Sequence, residues 1–220
     1  MKNVIITGSN GMIGNLILEN CLSNPKINKI TSIVRRKSGI NHPKLIEIVH
    51  TNFEDFTEIE SQFKNQDICF YCIGVYTGQV STDEFAKITI NFTRAFAQTL
   101  RKNNENTTFC FLSGQGADSS EKSKMMFAKD KGIAENILFN LNFKEMYSFR
   151  PGYIYPVTQR EEPNLFYKIT RILYKPFLSK IYPNIGVTSE KLANTMVDIG
   201  CIGNEKTIFE NNDIRLYKNA

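Results

Sequence analysis

The first fourteen residues constrain this chain more than any other stretch. Asn-Val-Ile-Ile-Thr at 3–7 reads as a short strand buried on both faces. It runs directly into Gly8-Ser9-Asn10-Gly11-Met12-Ile13-Gly14, and an apolar pattern of helical period follows at Ile13, Leu16, Ile17 and Cys21. Strand, glycine turn and helix in that order is the context that gives a glycine motif chemical meaning. Gly8 permits the tight turn, Gly11 lets main-chain N–H groups approach an anion, and Gly14 lets the helix lie close against the strand. The helix N-terminus then offers unpaired donors and its positive dipole end, which suits a pyrophosphate. The expectation is a dinucleotide cradled by residues 8–14. The competing reading is an empty structural turn, since glycine loops are common.

The rest of the chain continues the alternation. Strand-like segments fall at 3–7, 28–34, 44–50, 67–73, 107–113, 145–150 and 206–210. Helical patterns fall at 12–23, 56–63, 83–102, 123–141, 163–180 and 188–201. Such alternation predicts an α/β fold with a doubly wound parallel sheet covered by helices on both faces. At 220 residues, with no repeat and no linker, one domain over 1–220 is expected. Pro151, Pro156, Pro163, Pro176 and Pro183 crowd the last third, which predicts a small C-terminal region closing over the sheet's carboxyl edge. Ligands bind along that edge in open α/β sheets.

Composition narrows the partners. No apolar run is long enough to span a bilayer. The first core strand begins at the N-terminus and leaves no room for a leader, so a cytoplasmic protein without a membrane partner is expected. The five cysteines are scattered and mostly in apolar segments, as reduced buried thiols would be. Cys69 and Cys72 form a CxxC, but on a strand their side chains leave opposite faces, and no second ligand pair exists to complete a metal site. The net charge of +5 is spread along the chain, and no nucleic-acid motif accompanies it. His42 and His50 lie away from the expected chemistry and receive no role.

The ends of the next strands speak to the cofactor. In this fold the end of the second strand meets the adenosine ribose; an acid there selects NAD, and an arginine accommodates the 2′-phosphate of NADP. Here the strand ends in Arg35-Arg36-Lys37-Ser38 with no acid at the turn, which favours NADP over NAD. An exposed basic turn is the plain alternative. The third strand ends in Asn52-Phe53, where the Asn52 side chain and the Phe53 amide suit an adenine edge, although Asn is also a generic turn residue. The fourth ends in Ile73-Gly74, where glycine lets backbone pass close to a cofactor or makes a simple turn.

Taken together the residues resemble the atypical short-chain dehydrogenase/reductases, with an NAD(P)-binding Rossmann fold. The resemblance covers nearly the whole chain. It rests on Thr7 to Gly14, Val34-Arg35-Arg36, Asp67 to Gly74, Leu112-Ser113-Gly-Gln-Gly-Ala-Asp118, Lys131-Gly132 and Arg150-Pro151-Gly152. The Cys-Ile-Gly, Gly-Ala-Asp and Arg-Pro-Gly segments are similar to a narrower group, the Tat-interacting oxidoreductase-like proteins and bacterial nucleoside-diphosphate-sugar epimerase-like proteins.

The resemblance implies a catalytic Ser, Tyr and Lys. The Tyr moves the proton at the substrate oxygen, the Lys four residues later lowers the tyrosine's pKa and holds the nicotinamide ribose, and the Ser orients the carbonyl. The four-residue spacing stacks Tyr and Lys on one helix face. On this chain Lys131 matches the Lys, and Pro151 the residue near the carboxamide. Ser113 matches the first of two serines in the narrower group. Gly114 replaces the second, which usually carries the catalytic hydroxyl, and Phe127 stands where the Tyr belongs. No Tyr occurs anywhere between 77 and 146, so a shift of register cannot restore it. Three readings follow: an NADP-dependent reductase or epimerase-like enzyme using another acid, with Tyr153 and Tyr155 as candidates; an NADP-binding redox sensor or regulator without turnover; and a vestigial cradle on a fold that serves a partner surface. The substrate or partner protein and the oligomeric state are not legible.

Overall fold

The computed structural model describes residues 1–157 and 185–218. Seven strands form one sheet: β1 (Lys2–Thr7), β2 (Ile27–Val34), β3 (Leu45–Val49), β4 (Ile68–Tyr71), β5 (Thr108–Leu112), β6 (Glu145–Arg150) and β9 (Ile208–Glu210). Their order is β3-β2-β1-β4-β5-β6-β9, and every neighbouring pair is parallel. The strand order reverses between β1 and β4, and the crevice outside that reversal is where doubly wound sheets hold ligands. Two short strands absent from the sequence reading, β7 (Tyr153–Tyr155) and β8 (Gly186–Thr188), pair beside the carboxyl edge.

Helices cover both faces. On one face α1 (Met12–Ser23) packs on α5 (Ser189–Ile202), sharing a core with Val4, Ile6, Phe70, Phe149 and Met196. On the other, α3 (Phe92–Asn103) and α4 (Met126–Asn140) close over Ile5, Ile33, Phe96, Phe109 and Phe111. The apolar strands of the sequence reading are those parallel, doubly covered strands. Cys69 belongs to the second core and Cys72 packs against the first, so the CxxC pair does divide between the two faces. No helix among the described residues is long and apolar enough to cross a membrane.

The structure corrects several boundaries. The helix expected over 56–63 is a 3-10 segment, Thr57–Phe63, kinked at Ile59. The helix expected over 83–102 is three pieces in series: α2 (Thr82–Ala86), a π-helical turn at Lys87–Asn91, and α3. Residues 123–125 are loop, because Ser123 and Lys122 donate their amides to the Asp118 carboxylate before α4 begins. The last strand starts at Ile208 rather than 206, and a short helix, α6 (Asn211–Leu216), follows it. The helix expected over 163–180 lies outside the described residues.

Candidate functional site

The turn after β1 is built as its glycines require. Gly8 has φ of +78°, in the left-handed region, and a Cβ there would stand 2.5 Å from the Cys72 carbonyl oxygen. The Gly11 amide donates to the Gly8 carbonyl at 2.9 Å, closing the turn. A Cβ on Gly14 would lie 2.2 Å from that same carbonyl, so α1 can start against the turn only with glycine here. Helix α5 has a side-chain cap, Thr188 accepting from the Lys191 amide, whereas α1 begins at Gly11 with no side-chain cap and no acid in its first turn. Helices α3 and α4 lack a side-chain cap as well; what sets α1 apart is that its start lies on the glycine turn at the sheet's carboxyl edge, where its first donors suit an anion.

From this turn a cleft of about 410 Å³ runs along the carboxyl edge. Gly11, Met12, Ile13 and Gly14 line one end, Ile73 and Gly74 the middle, and Ser113, Gly114, Phe127, Lys131, Pro151 and Tyr153 the other end. A Cβ on Gly74, which lines the cleft, would meet no atom of the described residues within 4 Å, so no contact among them calls for a glycine there.

Among the described residues Lys131 is the single charged side chain of the lining, and it is only 7% exposed. Its Nζ donates to the Leu112 carbonyl at 3.2 Å and sits 5.0 Å from the centre of the Phe111 ring. Burial pushes its ammonium down to about 8, against the pull of the Glu135 carboxylate one turn further along α4. Lys131 is thus no solvated helix lysine. Among the described residues the turn, the open Gly74 and the inward Lys131 fit an extended anionic nucleotide with a sugar hydroxyl at the lysine end. That match agrees with the chain's relatives. The model of the NAD dependent epimerase/dehydratase family matches residues 4–126.

The chain belongs to the NAD dependent epimerase/dehydratase family. It is 28% identical to the HTATIP2 protein of Rattus norvegicus over 164 residues, 74% of this chain and 66%, just under two thirds, of the rat protein. Solved structures share the fold. The Bordetella bronchiseptica enzyme WbmH in complex with NAD+ superposes with a TM-score of 0.70 at 16% identity, over 96% of this chain and 75% of that one. Yeast methylglyoxal/isovaleraldehyde reductase Gre2, complexed with NADPH, gives 0.67 at 13% identity, over 94% and 78%. The family is NAD(P)-dependent, and its neighbours carry either dinucleotide.

Within this family site, the remaining expected residues fall into distinct positions. Ser9 is fully buried and its hydroxyl shares a 2.8 Å hydrogen bond with Ser32 on β2, so only its main chain faces the turn. Asn10 donates from Nδ2 to the Arg36 carbonyl at 2.8 Å, tying the glycine turn to the end of β2. Arg35 and Arg36 are exposed beside it, and no ion pair among the described residues holds either. Asn52 accepts the Glu54 amide at 3.2 Å, which is the generic turn geometry, and Phe53 buries its ring among Phe56, Phe92 and His50. Only the Phe53 main chain is left for a ligand. His50, given no role from sequence, shapes this loop: its Nε2 donates to the Asn52 and Asp55 carbonyls at 2.7 and 2.8 Å. Tyr153 lines the cleft, and Tyr155 is not among its lining residues.

The two residues expected to depart from the catalytic pattern touch each other. The Phe127 ring lies over Gly114, and a Cβ on Gly114 would stand 2.5 Å from the ring's Cζ. A serine at 114 would require the ring to shift. Ser113 is buried, and its hydroxyl forms no well-shaped hydrogen bond among the described residues. It still lies near enough to Glu135 to help hold that carboxylate ionised.

Glu135 is the residue that sequence reading missed. It is fully buried, one turn beyond Lys131, and grips Arg150 at the end of β6. Arg150 Nε donates to Glu135 Oε1 at 2.9 Å, its Nη2 to Glu135 Oε2 and to Ser119 Oγ, and its Nη1 to Glu210 Oε1 at 2.9 Å. Ser148 adds a 2.6 Å bond to Oε1. The network fixes α4, and with it Lys131 and Phe127, against β6, the loop after β5 and the end of β9. Its signal lay in the Lys131–Glu135 spacing and in the arginine before Pro151.

Proposed function

We propose that this chain binds NADP in the cleft and works as a reductase or epimerase-like member of its family. The pyrophosphate sits on the turn from Gly8 to Gly14, and Arg35 and Arg36 take the 2′-phosphate. The Phe53 amide and Asn52 border the adenine, and Ile73 and Gly74 pass along the cofactor's length. Lys131 donates to the nicotinamide ribose, Pro151 borders the carboxamide, and Ser113 stands at the substrate oxygen. When bound, the dinucleotide supplies a hydride; the chain supplies orientation, exclusion of water and proton movement. The observation that carries this reading is the uncapped start of α1 over the Gly8–Gly14 contact, opening into a cleft with a buried lysine at its far end. We place the protein in the cytoplasm, as one domain, with a small molecule and not nucleic acid or membrane as its partner.

A second reading has its own observation. Phe127 packed on Gly114 removes both expected hydroxyls, which favours NADP binding without turnover, as a redox sensor or a regulator that docks a partner protein. Loss of a positioned general acid lowers rates by about 10²–10⁴-fold while leaving binding intact.

The 2′-phosphate assignment has a direct test. Arg35→Ala should weaken NADPH by about 10- to 100-fold, the worth of one charge-assisted phosphate contact, and leave NADH unchanged. Fluorescence titration with both cofactors measures the ratio. An unchanged preference would mean that the basic turn is only a solvated surface.

A further inference from the structure

The lining of the cleft is poor in groups that exchange protons. Among the described residues it holds one charged side chain, Lys131, beside Ser113, Thr77, the phenols of Tyr76 and Tyr153 and the thiol of Cys72. The Cys72 thiol is pushed up to about 12, first by burial, and is a poor donor to an alkoxide site at neutral pH. The residue one turn before Lys131 is Phe127, which lines the same end of the cleft and carries no hydroxyl. Among the described residues the contacts of the amine are neutral, the Leu112 carbonyl and the Phe111 face, with the Glu135 carboxylate acting on it at longer range. No ion pair among the described residues engages it.

We infer that Lys131 itself delivers the proton to a carbonyl substrate in this cleft, acting as the catalytic acid rather than only as a ribose ligand. The inference rests on the NADP reading and names the acid of that same site. As hydride reaches the carbonyl carbon, the C=O π bond becomes an oxygen lone pair. That oxygen takes a proton from Nζ, giving the alcohol and a neutral amine, and water reprotonates the amine. The carbonyl is reduced, and the dihydronicotinamide is oxidised. A lysine ammonium lowered to about 8 by burial is matched to this exchange, where an ordinary one near 10.4 is a weaker acid. The groups facing it are few. Glu135 on its own helix pulls its pKa up and is itself neutralised by Arg150 from β6; Cys72 faces it from the end of β4; Tyr76 and Tyr153 border the cleft from the loop after β4 and from β7. The sign follows: reduction needs the ammonium and slows as pH rises past about 8, while alcohol oxidation needs the free amine and speeds up over the same range.

The test uses the whole chain and three readouts. First, nuclear magnetic resonance on protein with isotope-labelled lysine should show one ammonium titrating near pH 8, absent in Lys131→Arg, with no cofactor present. A Lys131 that titrates with the surface lysines overturns the inference whatever the cofactor does. Second, NADPH affinity is measured directly. Arg keeps the charge and a donor but does not release its proton, so Lys131→Arg should bind NADPH within about threefold of wild type. Absence of binding to wild type fails the NADP reading itself. Third, reduction of phenanthrenequinone by NADPH should fall about tenfold per pH unit above the midpoint. Lys131→Arg should lose that limb together with about 10²-fold or more of the rate. Tyr153→Phe should keep the limb. Tight NADPH binding with no quinone reduction, full rate in Lys131→Arg, or loss of the limb in Tyr153→Phe each overturns the inference and leaves the binding reading standing.

Discussion

Replacing Arg150 with methionine is expected to destabilise the protein by about 3–5 kcal/mol, the usual consequence of stripping one partner from a buried ion pair. Glu135 is fully buried, and its two oxygens are held by Arg150 and Ser148. Burial by itself pushes the Glu135 carboxyl up. The Arg150 guanidinium, with Ser113 and Ser148, outweighs that and holds it below its ordinary range. In the wild type this carboxylate therefore contributes stability above the unfolded pKa of about 4.3 and loses it as pH falls through the folded value. In Arg150→Met burial is opposed only by the Ser113 and Ser148 hydroxyls, so the folded pKa rises, and the sign reverses once it passes the unfolded value. The variant should then gain stability as pH is lowered from about 7 toward 5, where Glu135 takes up a proton. Urea unfolding at the two pH values measures both effects. The double variant Glu135→Leu/Arg150→Met should recover much of the loss, because an apolar pair of similar volume often replaces a buried ion pair without penalty. A single variant as stable as wild type, with unchanged pH dependence, would mean that the network does not fix α4.

The second large effect is expected at Gly14. A Cβ there would stand 2.2 Å from the Gly8 carbonyl oxygen and 2.9 Å from the Ser9 Cα, both main-chain atoms with nowhere to move. Gly14→Ala must push α1 away from the turn. Overpacking of this kind costs about 1–3 kcal/mol in stability. Binding should suffer more, because the donors of the first turn are carried off with the helix. Losing one or two charge-assisted contacts to a pyrophosphate weakens NADPH by about 10- to 1,000-fold or more. Gly74→Ala is the informative contrast. It meets no protein atom, so stability should hold while NADPH affinity falls if the cofactor passes there. Calorimetry and thermal unfolding of the two variants separate the effects.

Much of this was legible from sequence for identifiable reasons. The β1–α1 unit was plain because its glycines are imposed by local geometry: a positive φ at Gly8 and a main-chain contact at Gly14. The parallel strands were plain because burial on both faces leaves them continuously apolar. Other features depend on contacts that a linear pattern does not carry. The π-helical turn at Lys87–Asn91 adds a residue to a helix without breaking its apolar pattern, so 83–102 read as one rod. The three-residue strands β7 and β8 are too short for their strand-forming residues to stand out from the loops, and they are completed by pairing with each other. Phe53 read as a candidate through its amide, and what the linear pattern did not carry is the aromatic cluster with Phe56 and Phe92 that holds its ring. Gly114 and Phe127 read as two separate positions, and only the structure shows that the ring of one lies over the other. Glu135 looked like an ordinary helix acid until Arg150, fifteen residues away, was seen to close on it.

If the cleft running from Gly8 to Lys131 holds a dinucleotide, calorimetric titration of the wild-type chain with NADPH will register it. Saturable binding at one site per chain is expected, weakened by Gly14→Ala and weaker for NADH than for NADPH. Absence of heat with either cofactor, on protein shown to be folded, would contradict it.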